Sequence, residues 1–125
     1  MNAGKGPKPL FWVGSSLEDL RAFPEEVREA IGYALYLAQT GRKDPNAKPL
    51  KGYKGAGVLE VREDHAGDTY RAVYTVRFAN FVYVLHAFQK KSKHGIATPP
   101  KELALLARRL KAAEVDHAER SKKDK

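Results

Sequence analysis

Phe81-Val82-Tyr83-Val84-Leu85-His86-Ala87-Phe88-Gln89-Lys90-Lys91-Ser92-Lys93-His94 is the stretch on which the reading of this chain turns. From Phe81 to Phe88 nearly every residue is apolar, as expected for a central strand covered on both sides. From Lys90 onward the chain becomes a dense knot of positive charge, suited to meeting an anion.

Just upstream, Val58 to Glu63 alternates Leu59 and Val61 with Glu60 and Arg62, and Thr69 to Arg77 reads as a further strand. The turns His65-Ala66-Gly67-Asp68 and Ala79-Asn80 are too short for a crossover, so the three strands form an antiparallel meander. Working outward, Leu10-Phe11-Trp12-Val13 suggests a short first strand. Ser15 and Glu18 have capping-box spacing before a short helix. Pro24 suits the first residue of a second helix, whose stripe is Val27, Ile31, Ala34, Leu35 and Ala38. Gly41 to Gly57, rich in Gly, Pro, Asn and Lys, reads as a long loop without regular structure, a feature often tied to function. After the basic knot, Thr98-Pro99-Pro100 opens a third helix with Leu103, Leu106, Ala107 and Leu110 facing inward and Arg108, Arg109 and Lys111 off the stripe.

The expectation is an α+β fold: a small, mainly antiparallel sheet of one N-terminal strand and a three-stranded meander, with two N-terminal helices and one C-terminal helix. The helices are expected on one sheet face, leaving the other for binding. Residues 1–7 read as a flexible lead-in, 8–112 as a single domain, and 113–125 as a charged, frayed tail.

Composition narrows the function. A chain of 125 residues that is 42% hydrophobic has the size and core of one domain. It has no cysteine, hence no thiolate nucleophile or disulfide framework. No uncharged run approaches the 18 or so apolar residues of a spanning helix, and nothing resembles a secretory signal, so a soluble cytoplasmic protein without membrane contact is expected. A net charge of +8 points to a polyanionic partner.

Three chemistries compete for such a surface. A metal site would draw on Glu60, Glu63, Asp64 and Asp68, but a turn edge is usually solvated, and neither metal nor cofactor is expected. A histidine pair would draw on His65, His86, His94 and His117; His86 lies mid-strand, where a core role is commoner. The third is a cation-rich phosphodiester site. Arg62 ends one meander strand, Arg71 begins the next, and Lys90 with Lys91 follows the third. Arginine clamps phosphate at two points and stabilises a pentavalent transition state, and a lysine crowded by cations can become a base.

Pro49-Leu50-Lys51-Gly52, Gly57-Val58-Leu59-Glu60-Val61-Arg62, Tyr70-Arg71-Ala72-Val73-Tyr74, Leu85-His86-Ala87-Phe88-Gln89-Lys90-Lys91 and Thr98-Pro99, in that order, resemble the RelE/HigB-like toxins of type II toxin-antitoxin systems, particularly the phage-derived HigB-type branch. The resemblance spans about Leu10 to Leu110. It implies a small sheet with helices and a metal-independent endoribonuclease that cuts mRNA on the ribosome, inhibits translation and is held by a cognate antitoxin, a small helix-turn-helix protein. The ribose 2′-hydroxyl would attack the adjacent phosphate. Carried onto this sequence, Arg62 and Arg71 hold the phosphate, Lys90 and Lys91 assist in binding or proton transfer, and Lys51, Lys54, Lys93 and His94 contact RNA. Many relatives place a tyrosine or histidine near the chain end, where this sequence has a helix and a charged tail; the role falls to His86, Tyr74 or no residue, which leaves the general acid and base open. The alternative is a non-catalytic nucleic-acid-binding or regulatory module using the same basic face.

Overall fold

A computed structural model describes residues 6–53, 57–90 and 99–123. In chain order the elements are β1 (Leu10–Trp12), α1 (Ser16–Arg21), α2 (Glu25–Gln39), β2 (Ala47–Pro49), β3 (Val58–His65), β4 (Asp68–Thr75), β5 (Val82–Lys90) and α3 (Pro100–Lys123). The strands form one sheet in the order β1-β5-β4-β3-β2. The expected meander is its centre, with both β3–β4 and β4–β5 antiparallel. The β3–β4 turn is closed by Ala66 and Gly67, both left-handed at φ 52° and 86°, which is the two-residue geometry that matches strand twist.

Two features make the sheet larger and less regular than expected. β1 pairs parallel with β5, Leu10 opposite Val82, so the sheet is mixed. Within the supposed loop, Ala47 to Pro49 pairs antiparallel with β3 as a fifth strand. Proline can end an edge strand because it has no ladder donor to lose there, and so short a pairing leaves little periodicity to read.

The sheet is covered on both faces, not one. On the first face Val27, Ile31, Ala34, Leu35 and Ala38 of α2, with Leu20 of α1, pack on Val61, Ala72, Tyr74, Val82, Val84 and Ala87. Each large side chain so buried contributes about 1.5–3 kcal/mol. On the second face Leu106, Leu110 and Ala113 of α3 pack on Val58, Val73, Tyr83, Leu85 and Phe88. β5 is therefore enclosed from both sides, as its unbroken apolar run requires.

α3 also runs past the point where a frayed tail was expected to begin. Its inward stripe continues beyond Ala113 in polar residues. Asp116 accepts from the Tyr83 hydroxyl at 2.7 Å, and His117 stacks on Phe78 at 4.3 Å and approaches Asn80 Oδ1 at 3.0 Å. The Arg120 guanidinium lies 3.8 Å from the centre of the Phe11 ring. An apolar count cannot register such contacts, which is why the pattern fades while the helix goes on.

Local details also differ. Ser15 makes no capping hydrogen bond; its hydroxyl donates to Asp19 Oδ2 at 2.8 Å. Pro24 precedes α2 as its N-cap instead of opening it. Ala107 is exposed, whereas Arg109 turns inward.

Candidate functional site

Side chains alternate across a strand, so register decides what shares a face. Glu60 and Arg62 of β3, Arg71 and Val73 of β4, and His86, Phe88 and Lys90 of β5 all belong to the face that carries α3. Arg62 is directly opposite Arg71, Arg71 opposite Phe88, and Lys90 opposite Thr69. Lys48 of β2, opposite Glu60, adds a fourth cation to that face.

The expected cations thus converge, but in unlike environments. Arg71 is only 2% exposed, with Nη1 3.1 Å from Glu60 Oε2 in a buried ion pair. Two arginines in register would repel, and the intervening carboxylate offsets that repulsion. Arg62 is half-buried and makes no hydrogen bond or ion pair among the described residues. It lines a cleft of about 380 Å³ with Asn46, Lys48, Glu60, Glu63 and Asp64. The cleft sets two cations, Arg62 and Lys48, beside three carboxylates.

Lys51 is placed elsewhere. It is exposed beyond β2, beside the Val58 end of β3, and at strand rise Val58 and Arg62 are about 13 Å apart. Lys54, Lys91, Lys93 and His94 lie outside the described residues.

The same face holds an arrangement that the sequence reading did not assemble. His86 Nε2 is 2.5 Å from Glu102 Oε1 in the first turn of α3. The imidazole stacks on Phe88 at 4.7 Å. Arg109 Nη1 donates to the Leu85 carbonyl at 2.9 Å and faces His86 Nδ1 at 3.4 Å, while Nη2 donates to the Ser15 hydroxyl at 3.2 Å. Gly14 makes room for this guanidinium, since a Cβ there would lie 2.7 Å from Arg109 Nε. Glu102 and Arg109 are two helical turns apart, a spacing that aims both at one strand. That spacing was the available signal, but it identifies no target. His86 is buried, as its mid-strand position predicts, and its contacts tie β5 to α3.

The far end of α3 is fixed by a second polar cluster. Burial, then the hydrogen bond to Asp116, pushes the Tyr83 phenol well above its ordinary range. Burial alone would raise Asp116, but hydrogen bonds from Tyr83 and Arg120 outweigh it and hold the carboxyl below its ordinary range. Among the described residues no group of three or more His, Cys, Asp or Glu could hold a metal ion, and no helix is long and apolar enough to cross a membrane.

Fold and face together define a small α+β domain with a charged sheet surface under a C-terminal helix. Residues 18–111 match the family model described as Phage derived protein Gp49-like (DUF891), and the chain belongs to that family. The membership bears out the resemblance to a phage-derived toxin branch. No curated protein matches the chain. Among solved structures it is similar to the isolated RelE toxin of E. coli, at 21% identity and a TM-score of 0.49, covering 82% of this chain and 98% of that one. A free-state arginine-to-alanine mutant of the same toxin gives 21%, 0.49, 65% and 81%. The RelBE2 toxin-antitoxin complex of Mycobacterium tuberculosis gives 21%, 0.44, 70% and 95%.

Proposed function

We propose that the protein is the toxin of a type II toxin-antitoxin pair, a HigB-type, metal-independent endoribonuclease that binds and cuts mRNA on the ribosome in the cytoplasm. A small helix-turn-helix antitoxin restrains it in a hetero-oligomer. The observation that carries this reading is the sharing of one sheet face by Arg62, Arg71 and Lys90, with Arg62 open to a cleft. Family membership and the motif order support it.

In this reaction the 2′-hydroxyl attacks the adjacent phosphate, leaving a cyclic phosphate and a free 5′-hydroxyl. Arg62 binds the non-bridging oxygens, and Arg71, held by Glu60, adds fixed positive charge beneath them. Lys90 and Lys91 assist in binding or proton transfer, while Lys51, Lys54, Lys93 and His94 contact the RNA.

The buried Arg71–Glu60 pair also favours the second reading, a face that binds RNA without cutting it, because a guanidinium so engaged has less to offer a phosphate. Cleavage of mRNA by the purified protein, with and without ribosomes and in EDTA, separates the two. Arg62→Ala is expected to lower the rate about 10²–10³-fold, the loss typical of one donor to a developing anion. Full cleavage by a folded Arg62→Ala, Lys90→Ala double variant removes this site. Binding without cleavage leaves the non-catalytic module.

A further inference from the structure

Among the described residues the arginines of the basic face supply charge but no proton acceptor. A guanidinium keeps its proton at any working pH. Among the described residues Glu60 and Asp64 of β3 face this surface and Glu63 lines the Arg62 cleft from the opposite strand face, while Glu102 of α3 stands over His86; the two β3 carboxylates on the face are engaged. Glu60 pairs with Arg71 at 3.1 Å, and Asp64 accepts from the Thr69 hydroxyl at 2.8 Å.

Glu102 is held differently. Its Oε1 is fixed by His86, while its side chain keeps 24% of its surface exposed and Oε2 takes no hydrogen bond among the described residues. His86 is itself oriented by Phe88 beneath and Arg109 behind. A guanidinium only donates, so Nδ1 accepts from Arg109, and the ring proton sits on Nε2 facing the carboxylate. A buried imidazole therefore holds a partly exposed carboxylate from the rear.

The carboxylate is also near the cations. His86 is one pleat repeat from Phe88, which lies directly opposite Arg71. With strands about 5 Å apart and alternate residues about 7 Å apart, the strand positions of His86 and Arg71 are separated by roughly 8 Å on the diagonal. Arg62, one strand beyond Arg71, is roughly 12 Å from His86 on the same reckoning, a span that a ribose-phosphate unit and the side chains of Glu102 and Arg62 can cover together.

We propose that Glu102 is the general base of the RNA-cleaving reaction and that His86 is its positioning residue; this rests on the endoribonuclease reading above. The Glu102 carboxylate takes the 2′-hydroxyl proton as the 2′-oxygen forms its bond to phosphorus. The bond from phosphorus to the 5′-oxygen breaks, its electron pair stays on that oxygen, and a proton from water completes the 5′-hydroxyl. No metal or redox partner enters the balance.

The test must separate this role from simple pinning of α3. Glu102→Gln keeps an oxygen to accept from His86 Nε2 but is a negligible base. It is expected to cut RNA at least 100-fold more slowly in a single turnover while binding RNA within about threefold of wild type, in line with the 10²–10⁴-fold contribution of a general base. Glu102→Ala is expected to be equally slow and to regain activity as formate is added, because a diffusible carboxylate replaces the base but cannot pin a helix. Cleavage by Glu102→Gln within threefold of an active wild type overturns the proposal and leaves the endoribonuclease reading intact. Failure of formate to restore any cleavage to folded Glu102→Ala also counts against it. A wild-type protein that cuts no RNA, with or without ribosomes, overturns the endoribonuclease reading and this inference with it.

Discussion

The two faces of the sheet are built on different principles. Under α1 and α2 the contacts are almost wholly apolar, with Val27, Ile31 and Ala34 fully buried against Val82 and Val84. Under α3 the apolar cluster is interleaved with polar pairs: buried Arg71 with Glu60, buried His86 with the partly exposed Glu102, and buried Tyr83 with the partly exposed Asp116. An apolar core tolerates small losses in proportion to the volume removed, whereas a buried charge network fails when one member is lost. The first face is held by apolar packing, and the second by apolar packing interrupted by polar pairs.

Tyr74 and Tyr83 show the contrast in one side chain. Both are buried, on opposite faces. Tyr83 reaches a carboxylate, while the Tyr74 hydroxyl finds no partner among the described residues. Burial, with the Asp44 carboxylate adding to it, pushes the Tyr74 phenol up to about 12.

The largest effect is expected from Glu60→Ala, which leaves Arg71 buried beside Arg62. Denaturant melts should show a loss of about 3–5 kcal/mol, and a coupled change of Glu60 to Leu and Arg71 to Met should recover most of it. Failure of the coupled variant to recover stability would place the two faces on the same footing. Ile31→Ala on the apolar face is expected to cost about 2–5 kcal/mol with no coupled partner to restore it.

Tyr83→Phe should lose about 1.5–3 kcal/mol, the range for a hydrogen bond to a charged acceptor. Because the Asp116 carboxyl is depressed in the folded state, its contribution is present above the ordinary aspartate pKa of about 3.9 and is lost as pH falls through the depressed value. An acid titration of the near-ultraviolet tyrosine signal should show this transition in wild type and not in Asp116→Asn. The smallest effect belongs to Tyr74→Phe, expected to be neutral or stabilising by up to about 1 kcal/mol, since it removes an unpaired buried hydroxyl. A loss as large as that of Tyr83→Phe would reveal a partner for Tyr74 and erase the contrast.

The apolar face was legible from residues alone. The α2 stripe was read correctly because burial against a sheet imposes a 3.6-residue period that nothing else mimics. The meander was legible because its turns are too short for any other connection. α3 was half legible: Leu106 and Leu110 announced it, but Asp116, His117 and Arg120 continue the same stripe in residues that ordinarily mark a solvated surface. The helix's face of the sheet was not legible, because periodicity says which side of a helix is buried and not what buries it. In the site, Arg62, Arg71 and Lys90 were read from strand ends and do share a surface. Glu102 and Arg109 were missed because their partners on β5 are distant in sequence.

β1 carries one further consequence. Leu10–Trp12 joins the sheet only through β5, and its following turn is tied there by Ser16, whose hydroxyl donates to the carbonyl of Val84 68 residues away. Contacts between such distant segments slow folding, since the intervening chain must be ordered before they are made. During synthesis the first strand therefore leaves the ribosome long before its partner exists. The sheet can close only when most of the chain has been made.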